Sequence, residues 1–313
     1  MLKKLKTIFL RDRCIKIAVH SGNFHSDDVF SVALLSIMYE GNIKVVRSRS
    51  HEIYSKADFI VDVGLEYDPG KNKFDHHQEG GAGERPNGIK YSSIGLLWKS
   101  FGEKVCSSKK VADIIDSKLV QIIDADDTGF NLSILILEGV YPFTIADVIY
   151  SFRSTWKESE RIDDKAFIEA VDVAKNVLER QIRNTRDEVD AEELIGEVYG
   201  KAEDKRIIFF ENNLLPKGLL LKYPEPLFTI YKERGGNIWR VTAVRKSERG
   251  FEVRKKFPDS WSGKDSEELI AITGVKDASF CHTSCVFAGA KSKEGAIELA
   301  KKAITNSRLQ VSS

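Results

Sequence analysis

Cysteine is scarce in this chain, with four thiols spread over 313 residues: Cys14, Cys106, Cys281 and Cys285. Four cysteines in a chain of this length predict no disulfide framework and favour a reducing, cytoplasmic setting. Cys281 and Cys285 flank His282, but two thiols and one imidazole without a second cluster leave a tetrahedral zinc site incomplete. We therefore expect free, buried cysteines.

An excess of charge of one sign is also missing. Lysine and arginine number 48, aspartate and glutamate 47, and the formal net charge is +1. Such a chain has no overall field that would attract nucleic acid, so nucleic-acid binding would have to use a local basic patch.

Long apolar runs are absent as well. No stretch approaches the roughly 20 apolar residues that a membrane-spanning helix needs, so we expect no membrane association. The basic segment before Ile15 contains only a short apolar stretch, Thr7 to Leu10, and we interpret it as a short N-terminal arm. A mitochondrial presequence is the alternative that this arm leaves open.

Apolar runs of strand length alternate with helical patterns in the first half of the chain. Continuous apolar strands separated by helices predict an α/β unit with a parallel sheet flanked by helices on both faces. The predicted strands are IKIAVH (15–20), NIKVVRSR (42–49) and ADFIVDVG (57–64), and the predicted helices cover 27–40, 92–101 and 111–123.

The second half has a different pattern. Residues 164–194 predict one long helix, which we interpret as a connector. RIIFF, PLFTIYKE and NIWRVTAVRK predict strands, with ERGGN as a hairpin turn, and SKEGAIELAKKAI predicts a final helix. The predicted organisation is a first domain over 1–155, a helical connector over 156–195 and a smaller α+β domain over 196–313.

Histidine is also rare, yet five of the six histidines fall in a few short segments of predicted loop. The carboxyl ends of parallel strands share one sheet edge, where ligands bind, so side chains that follow the first and third strands should converge. The converging candidates are His20, His25, Asp27, Asp62, the run Asp75-His76-His77, and Asp124, Asp126 and Asp127 in IIDADDTGF.

Clustered carboxylates repel one another unless cations neutralise them. A mixed set of aspartates and histidines suits Mn²⁺ or Mg²⁺ better than zinc. With one bridging carboxylate, these residues could hold two cations about 3.5–4 Å apart, the arrangement that activates water in phosphoester hydrolysis.

Each segment taken alone also has an ordinary structural interpretation. His20 could be a satisfied buried histidine, VDVG a turn, and HSDD and DADDTG capped ends of helices or turns. Two adjacent histidines after an aspartate have no common structural use, and the joint pattern favours a metal centre.

These segments resemble the motifs of the DHH phosphoesterase superfamily. The closer similarity is to the MYG-type family of metal-dependent 3′→5′ RNA exonucleases, and it covers nearly the whole chain from about Ile15. The segments that carry it are HSGNFHSDD, VDVGLEYDPGKNKFDHHQ and KYSSIGLLWKSFG, and in the second half WRVTAV, FPDSW and SFCHTSCVFAGAKSKEGAIELAKKAI.

The resemblance implies a DHH-type fold with its active site in the cleft between two domains. One cation would be held by His20, His25 and Asp62, and the other by Asp27, Asp62, His76 and Asp127. Asp75 would orient His76, and His77 would face the scissile phosphate. The implied reaction is the trimming of single-stranded RNA or short oligonucleotides with two Mn²⁺ or Mg²⁺ ions.

One motif departs from the family pattern. Where the family has Asp-Ala-Ile-Asp-Asn-Gly, this chain has DADDTG at 124–129. Asp127 is the expected ligand, with Asp124 as a supporting or alternative ligand, and the additional Asp126 leaves the coordination open.

Three residues of the second half are candidates for substrate binding. His282 and the small residues after it precede the predicted final helix, whose backbone N–H groups could receive a phosphate; the alternative is a buried strand with an incidental histidine. Arg240 and Arg254 could form a basic patch, and the alternative is a solvated strand edge.

Two other functions are left open. One is hydrolysis of small substrates, such as a cyclic dinucleotide or pyrophosphate, at the same metal site. The other is a non-catalytic RNA-binding protein. A homo-oligomer is also left open.

Overall fold

The structure, a computed structural model, describes residues 13–134, 137–158, 163–211, 218–248 and 250–305. It divides into two compact units, Met1–Asp187 and Glu188–Ser313. The division falls inside the segment interpreted as a connector (156–195), and the three-part organisation stays a prediction. Most of the predicted N-terminal arm lies outside the described residues.

The first unit is built on a five-stranded sheet in the order β2-β1-β3-β5-β4. The adjacent pairs β2–β1, β1–β3 and β3–β5 are parallel, whereas the edge strand β4 runs antiparallel to β5. The prediction of an α/β unit is confirmed. The prediction of a wholly parallel sheet is wrong at this edge, because a 3₁₀ turn at Pro69–Lys71 reverses the direction of the chain. The strands are β1 (Ile15–Val19), β2 (Ile43–Arg47), β3 (Phe59–Val61), β4 (Tyr67–Asp68) and β5 (Lys73–Phe74).

Helices cover the sheet and carry several site residues. The predicted helix at 111–123 is three consecutive pieces, since a π-helical turn at Asp116–Val120 separates α4 from α5. The helices are α1 (Ser26–Met38), α2 (His51–Tyr54), α3 (Ser93–Cys106), α4 (Lys109–Ile115), α5 (Gln121–Asp127), α6 (Ile145–Tyr150) and the long α7 (Asp163–Lys201).

Helix α1 lies inside the first unit. Every residue from Ser26 to Ser36 is buried, as its nearly continuous apolar sequence predicts. The two aspartates of its first turn, Asp27 and Asp28, are therefore buried too, where carboxylates are costly unless they find partners.

The second unit holds a separate five-stranded sheet in the order β6-β7-β8-β10-β9. Strands are present at each predicted segment, and two more, β9 and β10, form a hairpin that was not predicted. A core of Phe228, Ile230, Phe257, Trp261 and Leu299 fills this unit. Its elements are β6 (Ile207–Phe210), β7 (Phe228–Lys232), β8 (Trp239–Ala243), α8 (Ser266–Thr273), β9 (Ala278–Cys281), β10 (Phe287–Ala290) and α9 (Lys293–Thr305).

The four cysteines are free, and three of them are buried. The expectation of free, buried thiols fails only at Cys14, which is exposed. Among the described residues no helix combines the length and the apolar character needed to cross a membrane.

Helices α3 and α5 approach closely at Gly95, and the contact is polar. The N–H of Gly95 donates to Oδ1 of Asp124 at 3.1 Å, and the N–H and hydroxyl of Ser92 donate to the same oxygen at 3.1 and 2.6 Å. The guanidinium of Arg85 pairs with Oδ2. Asp124 is thereby fully enclosed as a structural anchor between these helices.

We predict that Gly95→Ala destabilises the first unit. A methyl group on Gly95 would lie 2.1 Å from Oδ2 of Asp124, which the buried Arg85 holds in place. Such overpacking costs about 1–3 kcal/mol, which should lower the thermal unfolding midpoint by several degrees in circular dichroism.

Gly200→Ala is the matched control. Gly200 is an exposed glycine of α7, and a methyl group there meets nothing within 4 Å. Higher helix propensity should make this variant about 0.5–1 kcal/mol more stable. Equal midpoints for Gly95→Ala and the wild type would contradict the close approach of the two helices.

Candidate metal centre

The register of the first sheet brings His20 and Asp62 together. Val19 of β1 lies opposite Val61 of β3, so the residues that follow each strand leave the sheet side by side. Nε2 of His20 lies 3.2 Å from Oδ2 of Asp62. Asp62 has a φ of +53°, a left-handed conformation that aspartate tolerates better than most residues but that still costs free energy.

The N-terminus of α1 supplies the next residues. The backbone N–H of His25 donates to Oδ1 of Asp28 at 2.9 Å, and this bond sets the start of the helix. The other oxygen of Asp28, Oδ2, lies 2.9 Å from Nε2 of His20. Sequence reasoning missed Asp28 as a close neighbour of the cluster; the acidic pair at a helix start was the available signal.

His76 occupies the centre of a second group. Its Nε2 lies 3.2 Å from Oδ1 of Asp62, 3.2 Å from Oδ2 of Asp127 and 3.8 Å from Oδ2 of Asp27. Asp27 is held in turn by the hydroxyl of Ser93, which donates to its Oδ2 at 2.8 Å. Four segments that are distant in sequence therefore meet at one imidazole nitrogen.

Several of these polar atoms are buried and form no well-aligned hydrogen bond, although some lie within ion-pair distance of one another. Buried polar atoms without well-aligned hydrogen bonds are rare in folded proteins, and a cluster of them indicates a binding site for a ligand. The cluster atoms concerned are Nε2 of His20, Oδ1 of Asp27, Oδ2 of Asp28, both carboxylate oxygens of Asp62 and Nε2 of His76. Their convergence fits a positively charged ligand with several coordination positions.

Three overlapping groups of side chains could each hold a metal ion, with ligand atoms within 4.8 Å of one another. The first, His20 with His25 and Asp62, has the same members as one predicted ligand set. The others are Asp62 with His76 and His77, and His25 with Asp27 and Asp127. Asp62 belongs to two groups, as a bridging carboxylate requires, while the coordination of individual ions stays a prediction.

The electrostatics of the cluster favour a bound cation. Burial and the charges of Asp62 and Asp127 raise the pKa of Asp27 well above its ordinary value. Burial, with the charge of Asp62, raises the pKa of Asp127 to about 6. Burial opposes the charged form of His20, but Asp28 and Asp62 outweigh it and raise the pKa of His20 to about 10.

Asp75 contacts His77 rather than the ring of His76. Its Oδ1 lies 2.7 Å from Nδ1 of His77 and accepts the backbone N–H groups of His76 and His77 at 2.8 and 3.2 Å. Its Oδ2 accepts the N–H of Leu65 at 2.6 Å. Asp75 therefore orients His77 through its ring and His76 only through the backbone, which differs from the expected role.

The structure does not bring Asp124 to the cluster. Both of its oxygens are engaged by Arg85, Ser92 and Gly95, and burial raises its pKa in spite of Arg85. Asp126 points elsewhere too, since its Oδ2 accepts the hydroxyl of Tyr150 at 2.7 Å. Of the three aspartates in the DADDTG segment, Asp127 alone reaches His76.

The three candidates of the second unit have local partners. Arg254 donates to backbone carbonyls, among them those of Tyr223 and Pro226 at 2.6 and 3.0 Å. Arg240 pairs with Glu233 at 2.6 Å. His282 is exposed in the turn between β9 and β10, and its ring stacks on Phe287.

The predicted phosphate site at the final helix is closed by the protein itself. Oδ2 of Asp277 accepts the N–H of Ser292 at 2.6 Å, and the hydroxyl of Ser292 accepts the N–H of Gly295 at 3.0 Å. These side chains cap the start of α9, so the N–H groups of Ser292 and Gly295 are not free to receive a phosphate.

Comparison with known proteins places the chain in a family. Residues 16–304 match the model of the MYG1 exonuclease family, which is described as an uncharacterised protein family, UPF0160. The chain belongs to this family. It is 28% identical to the MYG1 protein of Schizosaccharomyces pombe, over 93% of this chain and 97% of that protein.

Other relatives carry the name MYG1 exonuclease. The mouse protein is 27% identical and the human protein 26% identical, each over 91% of this chain, and the chain spans 84% and 85% of their lengths. The prediction of an enzyme of the hydrolase class, an exonuclease, is confirmed at the level of the family.

Among solved structures, the chain shows a weak similarity to RecJ of Thermus thermophilus in complex with Mn²⁺. The sequence identity is 12% and the TM-score 0.26, over 96% of this chain and 54% of the RecJ chain. A similarity this weak does not establish a shared fold, so the placement of the chain in the DHH superfamily stays a prediction.

We predict that Asp27→Asn stabilises the metal-free protein and weakens its response to metal. The raised pKa of Asp27 means that its ionised form is unfavourable in the fold, and asparagine removes that charge while still accepting from Ser93. The unfolding midpoint without metal should rise, by roughly 2–4 °C for each kcal/mol gained. The increase in the unfolding midpoint that Mn²⁺ produces in the wild type should become smaller, because one of the two proposed ligand sets loses a carboxylate.

Asp126→Asn is the matched control, because Asp126 is an exposed aspartate of the same cluster segment outside all three ligand groups. This variant should respond to Mn²⁺ as the wild type does. A full Mn²⁺ response in Asp27→Asn would remove Asp27 from the metal centre.

We also predict that metal binding releases protons. His20, with a pKa of about 10, holds a proton at neutral pH that must leave before its nitrogen can coordinate a metal. Mn²⁺ affinity should therefore rise at least tenfold per pH unit between pH 6.5 and 8, since the raised pKa of Asp27 adds to the proton that His20 releases, and more steeply below the pKa of Asp127, about 6. Titration calorimetry in two buffers of different ionisation enthalpy counts the protons, and an affinity independent of pH would contradict the arrangement.

Proposed function

We propose that this chain is a metal-dependent phosphodiesterase that trims single-stranded RNA from its 3′ end, using two Mn²⁺ or Mg²⁺ ions. The observation that carries the proposal is the set of buried nitrogen and oxygen atoms that meet around Asp62 without well-aligned hydrogen bonds. Membership of the MYG1 exonuclease family supports nuclease chemistry. The 3′→5′ direction, the RNA preference and the number of ions are part of the proposal.

The residues fit the ions chemically. Carboxylate oxygens and imidazole nitrogens are the donors that Mn²⁺ accepts, and both kinds are present in each ligand group. His20, His25 and Asp62 would hold one ion, and Asp27, Asp62, His76 and Asp127 the other. When bound, such ions supply a water activated at neutral pH and positive charge for the phosphate.

His77 has a role that the ions cannot fill. Asp75 raises the pKa of His77, which favours the protonated ring, and 49% of its side chain is exposed. With Nδ1 donating to Asp75, Nε2 is left to donate to a phosphate oxygen as charge develops there. His76 is more enclosed, with 12% of its side chain exposed, and faces the carboxylates.

Substrate recognition by Arg240, Arg254 and His282 is a weaker part of the proposal. Arg240 and Arg254 already have partners within the second unit. His282 keeps an exposed ring that could stack or bond with a nucleotide. The proposed partner is single-stranded RNA or a short oligonucleotide.

We predict that His76→Gln and His77→Gln separate metal binding from chemistry. His76→Gln should lose both Mn²⁺ affinity and cleavage of end-labelled RNA, because its nitrogen lies among three carboxylates. His77→Gln should keep Mn²⁺ affinity and lose about 10²–10⁴ in cleavage rate. Calorimetry gives the first quantity, and gel analysis of 5′- and 3′-labelled RNA gives the second together with the direction.

The same assay distinguishes the other functions. DNA, cyclic dinucleotides and pyrophosphate are offered beside RNA. Turnover of pyrophosphate alone would replace the exonuclease with a small-substrate phosphatase. RNA binding without turnover, equal in the wild type and both variants, would leave a binding protein.

A further inference from the structure

A cavity of about 370 Å³ in the first unit opens onto the candidate metal centre. His20, His25, Asp62 and His77 line part of it, and Arg49, His51 and Tyr54 line another part. Sequence reasoning had left His51 outside the site. Arg49 and His51 follow β2, which lies parallel to β1, so they leave the sheet at the same carboxyl edge as His20.

Arg49 carries a charge that no acidic side chain neutralises. Among the described residues no carboxylate lies within ion-pair distance of its guanidinium, which is exposed and lies 3.4 Å from Nδ1 of His20. Two other arginines of this unit differ: Arg47 pairs with Asp164, and Arg85 pairs with Asp116 and Asp124. Arg49 is thus available to a ligand in the cavity.

His51 stands beside it. Its ring packs edge-on against Tyr54, with centroids 5.3 Å apart, and stays exposed. Tyr54 is buried and supports the ring of His51. An arginine fork and an imidazole next to a metal centre are donors suited to the oxygens of a phosphate group.

We propose that Arg49 and His51 form a phosphate-binding subsite that holds the phosphate of a single nucleotide against the metal centre. The proposal rests on the proposed function and names its immediate ligand. A volume of 370 Å³ is near the lower end for small-molecule sites, so it fits one nucleotide and excludes a folded polymer. An enzyme that admits one terminal nucleotide at a time needs such a cavity.

The test measures binding of adenosine 5′-monophosphate to the full chain loaded with Mn²⁺. Arg49→Gln should weaken binding on the order of tenfold to a hundredfold, the loss expected for hydrogen bonds to a charged group. The nucleotide affinity of Arg49→Lys should lie between those of the wild type and Arg49→Gln, because lysine keeps the positive charge but lacks the two-pronged guanidinium. His51→Gln should weaken binding by a smaller factor.

Two further probes identify the group that is recognised. Inorganic phosphate should compete in the wild type more strongly than in Arg49→Gln. Adenosine, which lacks the phosphate, should bind the wild type and Arg49→Gln alike. Arg180→Gln, an exposed arginine of α7 outside the cavity, should behave as the wild type does.

Three results would overturn the subsite: unchanged nucleotide affinity in Arg49→Gln, no nucleotide or phosphate binding by the wild type, or equal loss of Mn²⁺ and nucleotide affinity. The last result would mean that Arg49 acts by positioning His20. A wild type that binds nucleotide through Arg49 but leaves RNA intact would refute the proposed function alone.

Discussion

The first unit depends on a balance of charge around Asp62. This carboxylate is buried, lies between His20 and His76, and is drawn into the ionised state because both imidazoles lower its pKa. The same charge raises the pKa values of Asp27 and Asp127, so the cluster cannot ionise fully by itself. A cation removes this conflict. The fold and the metal are therefore energetically linked, since a ligand that binds only the folded state stabilises it.

Local structure positions the candidate ligands. The parallel pairing of β1 and β3 sets the distance between His20 and Asp62, and the first turn of α1 places Asp27 and Asp28 beside them. The left-handed backbone at Asp62 shows that the chain accepts strain to aim this side chain. His20 and Asp62 directly follow strands, and Asp27 and Asp127 lie in helices, so regular elements position these donors.

The sequence predicted what depends on periodicity and strand ends. Continuous apolar strands identified the sheet, and its parallel pairing was enough to bring His20 next to Asp62. Contacts of residues outside any motif were not predictable, and Arg49 and His51, which follow a strand and line the cavity, are examples. Asp124 was predicted as a ligand from its motif, but its oxygens accept hydrogen bonds from Arg85 and Gly95. The edge strand β4 is two residues long, and the β9–β10 hairpin lies in a segment rich in small residues, so neither has a strong hydrophobic pattern.

The adjacent histidines show how one dipeptide acquires two environments. Their ring centroids are 4.2 Å apart, and both rings lie near Oδ1 of Asp62, at 3.2 and 3.6 Å. Asp75 makes the difference, because its carboxylate binds Nδ1 of His77 and leaves the ring of His76 to Asp62 and Asp127. One imidazole is thereby enclosed among carboxylates, while the other faces the cavity and has a pKa that the carboxylate of Asp75 raises. The side chain of an aspartate directly before two histidines can reach the ring of the second histidine through a tight turn. This contact is a physical reason for the order Asp-His-His.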